Sequence, residues 1–279
     1  MNKGFIPIIV LLLVGLVIGL LIVILAKSSF LQLTKQTSLT ETFEKIQENK
    51  SNIKPPSWEF DYNTKTWSVT GTPPKCPEPL VFPSPVDVNL ASGVLYPGQE
   101  RSGDYKPHGG FRFDGLANNE VDVYAPMDGK LVEASRHLAS GEVQYVLYVI
   151  NDCGIMYKLD HLREVTQKFN EIFDNIPMGA EGDSRTTRVA PPVFVAKGEH
   201  VATKVGIEST KNVFMDFGVY DLRNTNGVDY GFHDYYNINQ YGTHALCWLD
   251  FLEESDKNLV RSLPAADFQN GSTSDYCKQ

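Results

Sequence analysis

The sequence predicts a mainly β domain, an antiparallel sheet or sandwich, carried behind one N-terminal transmembrane helix. Three observations lead there. Beyond Pro85 the chain breaks into short apolar runs separated by Gly, Asp-Gly and Lys-Gly turns, the pattern of half-buried strands. Helical spacing is confined there to two stretches, residues 162–173 and 245–254. Ahead of all this, Phe5 to Ala26 run for 22 residues without a charge. Of 279 residues, 42% are hydrophobic and 11% aromatic, enough for a real core, which excludes a mainly disordered or fibrous chain. The formal net charge of −9 excludes an electrostatic grip on nucleic acid phosphates.

The apolar run comes first. At 1.5 Å per residue it spans about 33 Å as a helix, enough to cross a bilayer. A cleaved signal peptide is the competing reading, but its apolar region is usually about 7 to 15 residues and no small-x-small cleavage site precedes Lys27. Residues 1–27 are therefore read as an uncleaved single-pass anchor, the membrane being reached through residues 5–26. Lys3 stands on one side and Lys27 and Lys35 on the other, so basic residues nearly balance. The habit of first helices and the long acidic domain place the N-terminus inside and the C-terminal domain outside the cytoplasm. Gly15 and Gly19 have the small-xxx-small spacing that lets two such helices approach, so a homodimer is a candidate state.

Residues 28–57 are polar, with a short helical stretch at 40–48, and read as a stalk. In 58–93 an alternating hairpin (Trp58 to Thr70) is followed by a segment with six prolines between Gly71 and Pro85, which can be neither a helix nor a central strand. The expected core, 94–222, holds strands at 121–125, 130–135, 144–150, 155–159, 192–196, 200–207 and 213–220. Residues 223–279 form an extension. Cys76, Cys153, Cys247 and Cys277 lack C-x-x-C spacing, which argues against a zinc ribbon or a thioredoxin-like site. They permit two disulfides in an exported domain, and all three pairings stay open beside buried free thiols; Cys247 with Cys277 would tie the tail to the domain.

The order of segments is specific. Ala125-Pro-Met-Asp-Gly-Lys-Leu-Val-Glu-Ala is followed by Met156-Tyr-Lys-Leu-Asp-His-Leu, then Val195-Ala-Lys-Gly-Glu-His-Val, then Phe214-Met-Asp-Phe-Gly-Val-Tyr-Asp. Over residues 94–222 this resembles the lysostaphin-type, or LytM-like, zinc endopeptidases of bacterial cell walls, whose core is a duplicated hybrid motif of β-strands. The resemblance implies His161 as the catalytic histidine of the Y-x-H-L segment, one residue further from its tyrosine than in the family. It implies His108, Asp114 and Asp216 as metal ligands. Two residues are inserted in His108-Gly-Gly-Phe-Arg-Phe-Asp114 relative to H-x-x-x-D, so an extended strand would hold the two ends about 20 Å apart unless Gly109 and Gly110 fold it back. Phe214 and Asp216 replace the family's H-x-H, which removes one imidazole and makes one ligand a carboxylate, a harder set less selective for zinc over magnesium or calcium.

Bland readings stand beside these. His108 can be a loop histidine, Asp114 a turn former and Asp216 a satisfied carboxylate at a strand end. His137, His200 and His233 lack partners at ligand spacing and read as ordinary surface or strand residues; His244 is an outside candidate. Arg112 alternates with Phe111 and Phe113 and can supply a fixed positive charge in place of a metal, by pairing with Asp114 or Asp216. The long connection 166–192 carries a polar Asp183-Ser-Arg-Thr-Thr-Arg188 rim. Two functions follow from the resemblance: a membrane-anchored zinc peptidase acting on cell-envelope peptides or peptidoglycan, or a catalytically inactive binding or scaffold module on the same fold. A third reading, a lipoyl-like domain, rests on the similar turns at Asp128-Gly129 and Lys197-Gly198 and lacks the lysine-bearing tip that it needs.

Overall fold

The computed structural model describes residues 55–101, 103–230, 240–266 and 271–277. The expected membrane helix with its Gly15 and Gly19, nearly all of the stalk, and His233 lie outside them. No described helix is long and apolar enough to cross a membrane.

The chain from Pro55 onward forms one unit. It opens with a hairpin, β1 (Ser57–Asp61) and β2 (Thr66–Thr70), whose turn is set by the Asp61 carboxylate accepting the Asn63 amide at 2.8 Å. The prolines of 73–85 hold the next stretch extended, and a 3₁₀ turn, Val88–Leu90, leads into β3 (Gly93–Leu95). A small two-stranded sheet follows, β4 (Gln99–Arg101) with β5 (Asp104–Lys106). Then come β6 (Gly109–Arg112), β7 (Glu120–Tyr124), β8 (Gly129–Ala139), β9 (Glu142–Ile150) and β10 (Ile155–Val165). A short helix, α1 (Gln167–Phe173), leads to β11 (Met178–Glu181), β12 (Thr187–Val195), β13 (His200–Val205) and β14 (Phe214–Asp221). The last helix is α2 (Glu254–Ser262).

Ten of these strands share one sheet. Its spine runs β11, β8, β9, β10, β14, β6, β3, with β12 added on β8, β13 on β10 and β7 on β13. The fold is mainly β and largely antiparallel, as the turn-punctuated runs predict. One pair departs from that pattern: β11 lies parallel to β8.

Side chains alternate between the faces of a sheet, so each strand feeds two environments. On one face Tyr157, Leu159, Met215, Phe217 and Val219 are at most 1% exposed. They pack with Phe169 and Phe173 of α1, with Phe82 and Val86 of the proline-rich arm, and with Trp248, Leu249 and Val260 of the C-terminal segment. The Phe217 ring lies 6.2 Å from Phe82 and 5.3 Å from Trp248, edge-on to both. Arm and tail are thus parts of the core. Disulfides Cys76–Cys153 and Cys247–Cys277 fasten them, each contributing about 3.5 to 4.5 kcal/mol in the chain-entropy model.

Two helix expectations need correction. The stretch 162–173 is helical only from Gln167, because Leu162 pairs with both Tyr145 and Val205 and Val165 pairs with Ala202, which keeps 162–165 in β10. The stretch 245–254 is a single 3₁₀ turn, Trp248–Phe251, since the core takes Trp248 and Leu249 together. The helix proper starts after Glu253, with Glu254 and Asp256 in its first turn and Arg261 in its last, complementing its dipole.

Candidate functional site

The other face of β10 and β14 is where the charges gather. Asp160 stands opposite Asp216 and Lys158 opposite Gly218 across the β10–β14 ladder, so all share the face turned away from Leu159 and Phe217. On the far side of β14, Asp216 pairs with Gly110 of β6.

His108, just ahead of β6, brings its Nε2 to 3.0 Å from Asp216 Oδ2. Two missing side chains make that approach possible. A Cβ on Gly218 would lie 3.0 Å from the His108 Cβ and 2.5 Å from the Tyr220 hydroxyl. A Cβ on Gly110 would lie 2.1 Å from the Met215 carbonyl oxygen, so a larger residue there would push β6 off β14. The Arg101 guanidinium donates to the His108 carbonyl at 3.1 Å and holds the segment from behind.

His161 arrives by a different route. It sits where β10 loses register with β9, between Leu159 and Leu162, and its φ of 60° is left-handed, a region that costs a non-glycine residue about 1 kcal/mol or more. Two bonds hold it there: its N–H donates to Asp160 Oδ1 at 2.6 Å, and its carbonyl accepts the Gly206 N–H at 2.8 Å. The strained turn aims the ring back over β14. Nε2 lies 3.8 Å from Asp216 Oδ2, and the ring centroid lies 4.2 Å from that of Phe214.

The remaining charge is Lys158, whose Nζ lies 2.7 Å from Asp160 Oδ2 with both side chains 9% exposed. Burial pulls its pKa down, but Asp160, Tyr220 and Asp216 raise it further, so the ammonium persists. Burial pushes the carboxyls of Asp160 and Asp216 up. Lys158 and then His161 outweigh that for Asp160, as do His108, His161 and Lys158 for Asp216, so both stay ionised. Burial, and next the Lys158 ammonium, hold His108 down at about 4, leaving its imidazole neutral near pH 7. Two carboxylates thus face the Lys158 ammonium, with the buried Arg101 guanidinium behind His108.

Of the residues that the motifs single out, His108, His161 and Asp216 come together. Asp114 does not. β6 runs straight, with Arg112 paired to Phe214 and Gly110 to Asp216, so the chain never folds back and Asp114 is carried to the far end. There it is bonded to Arg112 at 2.6 Å and to the Ser92 hydroxyl at 3.2 Å, on an exposed rim. Arg112 also reaches over the Phe214 ring, 5.8 Å from its centroid. It balances Asp114, and the charge beside Asp216 comes from Lys158 instead. His244 is buried elsewhere, with Nδ1 bonded to the Asn224 carbonyl at 2.8 Å, and His200 pairs with Asp122 on the surface.

Lys158 and Asp160 were legible as a signal: charged residues at alternate positions of an otherwise apolar strand must share one face and need partners there. Among the described residues, Asp160, His161 and Asp216 have ligand atoms within 4.8 Å of one another. A tetrahedral zinc would need three protein ligands at about 2.0 to 2.2 Å and an open position. The residues present do not fit that ion. Asp114 is held away, His108 and Asp216 are bonded to each other, and Asp160 is bonded to an ammonium that would repel a cation by roughly 4 kcal/mol per unit charge at 4 Å.

No protein-family model matches the chain, and no curated protein matches it. Among solved structures the chain is similar to Csd3 of Helicobacter pylori, at 12% identity and a TM-score of 0.34, over 65% of this chain and 39% of that one. The chain therefore spans well under half of that protein's length, and a likeness of this size carries no argument about function.

Proposed function

We propose that the domain is a binding module that holds cell-envelope peptides without hydrolysing them, presented outside the cytoplasm by the apolar segment 5–26. The observation that carries this reading is the Lys158 ammonium, 2.7 Å from Asp160 Oδ2, inside a cluster that in the family it resembles would hold zinc. A resident ammonium supplies the positive charge that the carboxylates require, yet it has no open coordination position at which to polarise a carbonyl or activate water. Phe214, standing where that family has a histidine, removes a second group of the reaction. The two disulfides support an oxidising compartment.

The test is metal content and turnover on one preparation. Full-length protein purified from zinc-supplemented medium in detergent should hold far less than one equivalent of zinc. It should retain cross-linked wall peptides and leave them intact. One equivalent of zinc together with cleavage that is lost in His161→Ala would overturn the reading in favour of the peptidase.

A further inference from the structure

The face that carries the charge cluster extends across β9 and β8, where two buried side-chain atoms lack partners. Lys158 pairs with Tyr148 across the β9–β10 ladder, so Val146 and Gln144, two and four residues back along β9, share its face. Gln144 in turn pairs with His137 of β8. His137 is 4% exposed and Gln144 fully buried. Among the described residues His137 Nδ1, Gln144 Oε1 and His161 Nδ1 are buried with no hydrogen-bond partner. Leaving such an atom unpaired costs on the order of 1 to 3 kcal/mol, so three on one face call for a ligand or for water.

The three residues are neighbours: Gln144 is the cross-strand partner of His137 and is joined to His161 through Gly206. Gln144 Nε2 donates to the Gly206 carbonyl at 3.0 Å, and the Gly206 N–H donates to the His161 carbonyl at 2.8 Å. The same bond fixes the amide: with Nε2 turned to Gly206, Oε1 is the free end and can only accept. The imidazoles can accept or donate according to tautomer. His161 forms the open end, with a side chain 22% exposed. The far end is flanked in the sheet by β11, whose Gly179 pairs with His137. What enters must therefore donate hydrogen bonds to Gln144, and the Asp216 carboxylate, 3.8 Å from the other nitrogen of the His161 ring, favours a cation over a neutral donor.

We propose that these atoms receive a primary ammonium group of a bound peptide, with Gln144 Oε1 and the Nδ1 atoms of His137 and His161 as acceptors. The proposal rests on the binding-module reading and names the group recognised. The probe is a blocked tripeptide, acetyl-Ala-Lys-Ala-amide, against its Nε-acetyl-lysine twin, titrated into the full-length protein in detergent. The free amine should bind at least about tenfold more tightly, the value of one hydrogen bond to a charged group, and should move the imidazole nitrogen resonances of His137 and His161. Gln144→Leu should erase the preference; should it fail to fold, His161→Gln, at the exposed end, should reduce it. Equal binding of the two peptides, no binding of either, or ordered waters that stay on all three atoms with peptide bound would overturn the proposal. Cleavage of wall peptides in the same samples would sink the non-hydrolysing reading and leave the amine preference standing.

Discussion

Strands β10 and β14 have two faces with opposite requirements. On the inner face Leu159, Phe217 and Val219 belong to the large apolar cluster, and what counts there is volume, since an interior packed to crystal density penalises any void. On the outer face Lys158, Asp160 and Asp216 are as secluded as many core residues, yet what counts is charge balance. The same two strands therefore fail in different ways. An inner substitution leaves a cavity, whereas an outer one leaves an unpaired charge that a second substitution can remove.

The largest effect is expected inside. Phe217→Ala should cost about 3 to 5 kcal/mol, because the ring is fully buried between Phe82 and Trp248, and chemical denaturation reads it directly. Lys158→Met should cost a comparable 3 to 5 kcal/mol by stranding two buried carboxylates. The comparison is sharpened by the double variant Lys158→Met with Asp160→Leu. If charge balance rules the outer face, the second change restores much of the loss. Additive losses would mean that both faces obey packing alone.

Acid should act on the outer face next. His108 is held down at about 4 against 6.5 for a free imidazole, so between those values the unfolded chain binds the extra proton. A depressed base adds stability that is present above the unfolded pKa and fades as pH falls from about 6.5 towards about 4. His137 is lowered in the same direction by burial, and Asp160 and Asp216, both lowered, extend the loss below the ordinary carboxylate value of 3.8. The expected loss from His108 is on the order of 3 kcal/mol. Denaturation midpoints across this range should slope downward with acid, and His108→Gln should flatten the slope; an unchanged slope would remove His108 from the account. A smaller effect is expected at Gly218→Ala, about 1 to 3 kcal/mol, since the added methyl must displace the Tyr220 hydroxyl and His108.

How much of this was legible follows from the same contrast. The β-rich core could be read because period-2 alternation reports the inner face directly: Tyr157, Leu159, Phe217 and Val219 announce themselves. His108, His161 and Asp216 were found through motif order, which preserves position along strands. Lys158 and Asp160, at alternate positions of an apolar strand, signal a charged face, but which groups balance them depends on cross-strand neighbours that the sequence does not give. Gln144 and His137 carry no sequence signal at all, since their unpaired state depends on the register of β8, β9 and β10. At the start of α1 and at the 3₁₀ turn Trp248–Phe251, strand pairing and core packing outweigh helical spacing.

The smallest expected effect separates the two accounts of the site most cleanly. If Asp114 were a metal ligand with His108 and Asp216, Asp114→Ala would leave two ligands and abolish binding of a divalent ion. Instead its side chain is 59% exposed and paired with Arg112 at 2.6 Å, and the straight path of β6 keeps it at the other end of the strand from His108. An exposed pair of this kind contributes at most about 1 kcal/mol and is screened by salt. Asp114→Ala should therefore change the unfolding free energy by less than about 1 kcal/mol, and leave peptide binding and the acid slope as they were. The control is Asp216→Asn, which keeps the volume and removes the charge: it should leave the Arg112–Asp114 pair in place, but free His108 and leave Lys158 paired with Asp160 alone, lowering peptide affinity. Similar losses of peptide binding in both variants would mean that rim and cluster form one site, and the division between the faces of β10 and β14 would have to be redrawn around β6.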